Sequence, residues 1–208
     1  MSLNFSKLSK IPDDCFRACD ALTTVIASSC LEIGTSAFLN CKNLKTLDFD
    51  SCQKIGEKAF SGAFNNDIYI SVNFPKCIEI GEEAFSGCVE LRSVGFYSDI
   101  TDISNTVSVG ARAFMNCSWL TTVIPFNVTE GNIPAACFSS CFRLTQINIP
   151  NCTNISDGAF YGCSSLSNVS VPYCQLISSN AFRLCSGLKE INVPSCSIFG
   201  TYAFAYCS

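Results

Sequence analysis

The hydrophobic positions of this chain fall into columns. Phe16, Phe38, Phe60, Phe85, Phe114, Phe138, Phe160, Phe182 and Phe204 follow one another at intervals of 22, 22, 25, 29, 24, 22, 22 and 22 residues. Ala precedes seven of them, and Cys15 and Cys137 precede the other two. Three residues after the Phe stands a cysteine (Cys19, Cys41, Cys88, Cys117, Cys141, Cys163, Cys185, Cys207), and six after it a leucine, from Leu22 to Leu188. Nine after it comes Val, Leu or Ile, from Val25 to Ile191. Five before it stands an apolar residue, from Ile11 to Phe199, and eight before it a second cysteine at Cys30, Cys52, Cys77, Cys152, Cys174 and Cys196. Self-similarity at this period marks a repeat protein whose units stack to bury one continuous core.

Each unit has two textures. Leu166-Ser-Asn-Val169-Ser-Val171 alternates apolar with polar and is rich in β-branched residues, which predicts a short strand with one buried face. Pro150, Pro172 and Pro194 end such strands. The other half, I-x-x-x-A-F-x-x-C-x-x-L, spaces its apolar residues by three to five and predicts a helical or 3-10 turn. Strand, turn, helical piece and turn make one coil of a right-handed α/β solenoid. Equivalent strands should pair in parallel about 4.8 Å apart as a concave sheet, with the helical turns on the convex side. Residues 1–208 read as one solenoid of about nine units. Neither end carries a polar capping segment, so the chain is expected to be part of a longer protein or to have its ends covered.

The frame L-x-x-V-x-V-x-x-C-x-x-I, as in Leu166 to Ile177, matches the leucine-rich repeat with Cys at its Asn/Cys position. The companion half I-G-x-x-A-F-x-x-C, as in Ile33 to Cys41 and Ile80 to Cys88, resembles the BspA-like class of leucine-rich repeats. Departures are local: Thr106 and Glu130 replace the strand-side cysteine, and Pro134 the usual glycine. The resemblance implies a non-catalytic protein-binding module of the kind found on host-associated bacteria and parasitic protists. It would be a surface or secreted adhesion protein whose partner is a host or matrix protein; a glycan partner is suggested separately, by the polar outward strand positions described below. An intracellular scaffold in the cytoplasm is the alternative. No cofactor is implied.

Composition narrows the chemistry. Charged residues make up 14% and the net charge is −4, so no electrostatic footprint for nucleic acid or an anionic membrane is visible. No apolar run reaches membrane-helix length. Histidine is absent, which removes the commonest general base and metal ligand. The sixteen cysteines lack the C-x-x-C pairs of a zinc site, and the two CxxxC pairs, Cys15/Cys19 and Cys137/Cys141, have no second pair in register. Equivalent thiols on adjacent coils point in parallel, which suits a disulfide badly. Leu8 and Ala63 occupy cysteine slots, so those slots read as packing positions and the thiols as small buried hydrophobes.

Function is then expected between the columns. The outward strand positions Thr24, Thr46, Asp48, Gln146, Asn148, Asn168, Ser170, Glu190 and Asn192 are polar and largely uncharged. Stacked strands would align them into a recognition surface, or they are simply soluble strand formers. Two units are irregular. One keeps only an alternating run, Ile68 to Val72, and the other carries an insertion at 97–108 with Asp99 and Asp102, read as a solvated or ligand-contacting loop. Six N-x-S/T sequons, at Asn4, Asn116, Asn127, Asn151, Asn154 and Asn168, matter only in a secreted eukaryotic protein.

Overall fold

A computed structural model describes residues 1–66, 70–96, 106–123 and 127–208. Residues 97–105 of the insertion, with Asp99 and Asp102, and Ile68 fall outside the described residues. The chain is a β-solenoid in which every strand pairing among the described residues is parallel. The predicted strands form one side. Ser2–Asn4, Thr24–Ile26 and Thr46–Asp48 make a three-stranded sheet. Ile70–Asn73, Leu91–Gly95, Thr122–Val123, Gln146–Asn148 and Asn168–Ser170 make a five-stranded one. Register follows the columns: Leu3 lies opposite Val25, Val25 opposite Leu47, and Ile147 opposite Val169. Among the described residues the sheet divides where the interval lengthens to 25 residues. There Phe64 takes over the missing Leu position from a φ of 58° and packs on Phe60 at 5.8 Å. The core stays continuous across the break, because Phe49 meets Phe74 at 6.3 Å.

The column five residues before the Phe is strand, not helix. Lys10–Ile11, Glu32–Ile33, Lys54–Ile55 and Glu79–Ile80 pair in sequence with Thr106–Val109 and Asn127–Val128 as a second sheet. Asn132–Ile133, Asn154–Ile155, Leu176–Ile177 and Ile198–Phe199 continue it after a break at the 3-10 turn Thr129–Gly131. With two residues per strand, period-2 alternation is too short to show in the sequence.

The turn side also departs from expectation. It is neither α-helical nor 3-10. The residues two before and two after each column Phe are left-handed: Lys58 (φ 53°) and Gly62 (64°) flank Phe60, and Asn180 (56°) and Leu184 (65°) flank Phe182. A left-handed residue every fourth position cannot continue a right-handed helix. The amide pattern shows what replaces it. Cys15, Arg17 and Cys19 N–H donate within their own coil to Pro12, Asp14 and Phe16 carbonyls. Asp14, Phe16 and Ala18 N–H donate to Thr35, Ala37 and Leu39 carbonyls of the next coil at 2.9, 2.8 and 2.7 Å. Alternate amides therefore tie neighbouring coils together, where a helix would direct all of them along its own axis.

Left-handed conformation costs a non-glycine residue about 1–2 kcal/mol, whereas glycine adds about 0.5–1 kcal/mol of unfolded-chain entropy. Ala136 sits at φ 52°. Ala136→Gly should therefore raise unfolding free energy by about 0.5 kcal/mol in urea. Ala159→Gly, at a buried position outside the left-handed columns, is the control and should lower it. A loss at both sites would sink this account of the turns.

Inside, the nine phenylalanines form one stack. Successive rings lie 5.1 to 5.4 Å apart and within 14° of parallel. Leu166, Val169, Val171 and Ile177 pack around it, all buried. The second sheet and turn face carry most of the paired charge, as in Lys10–Glu32 at 2.7 Å and Lys54–Glu79 at 2.9 Å. These pairs are half exposed and worth only tenths of a kcal/mol.

Candidate functional site

All sixteen cysteines are free. The two columns are hydrogen-bonded differently. Turn-side thiols reach back across a coil boundary: Cys41 Sγ donates to Phe16 O at 2.9 Å, Cys163 to Phe138 O at 3.1 Å and Cys185 to Phe160 O at 3.0 Å. Strand-side thiols bond locally, Cys30 Sγ to Glu32 O at 3.2 Å and Cys52 Sγ to Lys54 O at 3.3 Å. These column thiols thus fill small apolar slots and satisfy loop carbonyls that Leu or Ala would leave unpaired, whereas Cys15, outside both columns, is exposed. Burial pushes Cys41 up to about 11, and Cys77 and Cys185 up to about 12, from an ordinary 9.0. A raised thiol is protonated and a poor nucleophile. Among the described residues no group of three or more Cys, Asp or Glu is placed to hold a metal ion.

The raised thiols link stability to pH. The folded state keeps them neutral where the unfolded chain ionises. Their contribution is complete below pH 9.0 and is lost as pH rises through about 11 to 12. The urea midpoint should fall steadily above about pH 9, and titration in denaturant without reductant should count close to sixteen thiols. A flat midpoint across that window, or a thiol count near zero, would remove the packing role.

The strand face holds the binding candidates. In the five-stranded sheet Gln146 lies opposite Asn168, and Asn148 opposite Ser170. With Val123 and Ile147 they line an open depression of about 320 Å³. Among the described residues none of these four polar side chains has a hydrogen-bond partner, and Gln146, Asn168 and Ser170 are exposed. Thr24 and Thr46 are neighbours in the other sheet, on the far side of the break, and do not join this row. Asp48 is engaged locally: Ser28 Oγ donates to its Oδ2 at 2.7 Å. Glu190 and Asn192 are exposed but lie outside any strand. The bonds by which Ser167 and Asn168 amides tie to Thr145 O are not repeated one coil on. The expected nine-residue ladder is therefore a four-residue cluster, a separate threonine pair and three peripheral positions.

The chain's sequence matches the model of the BspA-type leucine-rich repeat region, in six copies, over residues 61–107 and 103–208. The chain belongs to the BspA-type leucine-rich repeat family. Among solved structures, a leucine-rich repeat protein of T. pallidum is 19% identical with a TM-score of 0.55, over 91% of this chain and 78% of that one. A leucine-rich repeat protein of Eubacterium ventriosum is 17% identical with a TM-score of 0.45, covering 98% and 82%. A leucine-rich cell surface protein of Faecalibacterium prausnitzii is 19% identical with a TM-score of 0.37, covering 93% and 69%. The T. pallidum likeness supports the repeat fold. No curated protein matches the chain significantly in sequence.

Within the BspA-type frame, the outward residue two after the repeat Leu continues the row past Gln146. Thr122 lies opposite Gln146, Ser93 opposite Thr122, and Ser71 opposite Ser93, with Ser93 Oγ donating to Ser71 Oγ at 2.7 Å. Ser93 and Thr122 were legible, since they hold the same column as Gln146. Ser71 was not, because three extra residues displace it from the period. The sequons separate too. Asn127 is buried, and Asn151 is bound on both sides, its Nδ2 donating to Val128 O at 2.7 Å and its Oδ1 accepting Val128 N–H at 2.9 Å. Among the described residues no helix is long and apolar enough to cross a membrane.

Proposed function

We propose that this chain is a non-catalytic recognition module of a surface or secreted adhesion protein, binding protein or glycan through the polar face of its five-stranded sheet. In this reading residues 1–208 act as one solenoid. The observation that carries it is the cluster Gln146, Asn148, Asn168 and Ser170, aligned rung to rung and without side-chain partners among the described residues. A neutral row of amides and hydroxyls on a rigid sheet offers many weak hydrogen bonds with little ordering cost. Family membership supports the adhesion role. The test is binding of the chain to arrayed matrix proteins and glycans. Asn168→Arg combined with Gln146→Arg should lower affinity at least about tenfold, as expected for a charge forced into a neutral contact. Lys42→Ala, away from the row, should leave it unchanged. Equal binding by the double variant would place the site elsewhere.

The sixteen free thiols favour a second reading, a scaffold in a reducing compartment. Labelling intact source cells with a membrane-impermeant reagent separates the two: a labelled chain supports the surface, a protected one the scaffold.

A further inference from the structure

The turn face carries a second, chemically different surface. Most turn-face cations are already paired. Arg17 meets Asp14 at 3.0 Å, Lys58 meets Glu57 at 2.7 Å, and Arg112 bonds Glu82 and Glu83. Arg183 breaks that pattern. No carboxylate pairs with it among the described residues; its Nη1 donates to the Asn180 amide oxygen at 3.3 Å, and its buried Nε has no acceptor. Its guanidinium instead stands among three tyrosine rings, with Cζ 5.9 Å from the Tyr161 centroid, 5.4 Å from Tyr202 and 5.5 Å from Tyr206.

The columns explain how the cage arises. Tyr161 and Arg183 each follow their column Phe by one residue on successive coils. Tyr202 and Tyr206 stand two before and two after Phe204, both left-handed, at φ 59° and 62°. Around Phe114 the same columns hold Arg112, half-buried, and Asn116, exposed. Tyr202 and Tyr206 are 62% and 65% exposed, and Leu184 beside them is 39% exposed. Exposed aromatic area of this kind around a single arginine is the composition of protein-interface hot spots. The rings also hold the guanidinium in place by cation–π attraction, so little side-chain freedom remains to be lost on binding.

We propose that Tyr161, Arg183, Leu184, Tyr202 and Tyr206 form a docking patch for an acidic segment of a partner protein, whose carboxylate pairs with Arg183 while apolar side chains lie on the tyrosines. The unpaired guanidinium supplies the charge preference, since a carboxylate matches its fork geometry. This surface is distinct from the strand face and does not rest on the function proposed above.

A fluorescein-labelled peptide of alternating Glu and Leu, followed by polarisation at low and high salt, tests the proposal. It should bind the chain more tightly than the same peptide with Lys for Glu, and added salt should weaken it. Arg183→Met keeps the aliphatic stem and should lower affinity at least about tenfold. Tyr206→Ser, on the surface, gives an independent loss should the arginine variant fold poorly by circular dichroism. Asn168→Arg should leave this binding unchanged, which separates failure here from failure of the strand-face reading. Equal affinity for the Glu and Lys peptides, or full affinity in both patch variants, overturns the proposal. So does capture of a uronic-acid polysaccharide with no peptide binding.

Discussion

Cutting Phe160 to alanine should lower unfolding free energy by about 3–5 kcal/mol. Phe160 is fully buried and stacked between Phe138 at 5.4 Å and Phe182 at 5.1 Å. Both neighbouring rings would lose a face, and two features prevent the coils from closing over the void. The Phe160 amide is tied to Ala181 O, and its carbonyl accepts both the Cys163 amide and the Cys185 thiol. The cavity should therefore persist and the cost should sit toward the upper end of that range. Urea unfolding followed by circular dichroism measures it. A loss below about 1 kcal/mol, the size of an ordinary substitution, would mean that the stack is not the core.

Placing a methyl group on Gly81 should cost about 1–3 kcal/mol although it removes no contact. A Cβ there would lie 2.5 Å from Glu57 N and 2.6 Å from Gly56 C, both backbone atoms of the preceding coil. Neither can swing aside as a side chain would. The Gly81 amide also donates to Ile55 O at 2.7 Å, which holds the two coils at this spacing. Gly81→Ala must therefore open that bond or strain the second sheet at Ile55 and Ile80. Ser156 and Ser178 occupy the same column further along, so the steric limit is set coil by coil and the test belongs at Gly81. Unchanged stability in Gly81→Ala would show that the coils separate freely, against the inter-coil bonding described above.

The columns made the repeat, the parallel pairing and the core legible before any coordinates. A slot that accepts Cys, Leu or Ala in equivalent units must be a packing slot, and Cys163 and Cys174 proved to be buried in such slots. The turn side was misread for a physical reason. Apolar spacings of three to five occur both in a helix and in a compact turn whose amides point alternately within the coil and to the next one. Only the left-handed residues distinguish the two. Lys58, Ala136 and Tyr202 carry no hint of positive φ in their side chains, so the stacked coils impose that conformation on them.

The same division holds for the candidate sites. Sequence periodicity alone determined which residues face outward on the strands, because side chains alternate strictly along a strand. It also determined that the two cysteine columns are packing positions, because their slots are shared with aliphatic residues; Cys15, outside those columns, is exposed. Only the tertiary structure decided which outward residues meet. The break after Thr46–Asp48 separates the threonines from the amide row, and Asp48 turns to Ser28. It also brought Tyr161, Arg183, Tyr202 and Tyr206, drawn from three coils and 46 residues of chain from first to last, around one guanidinium. Columns record what each coil shares with the next. A binding surface is made where neighbouring coils differ, and that juxtaposition exists only once they are stacked.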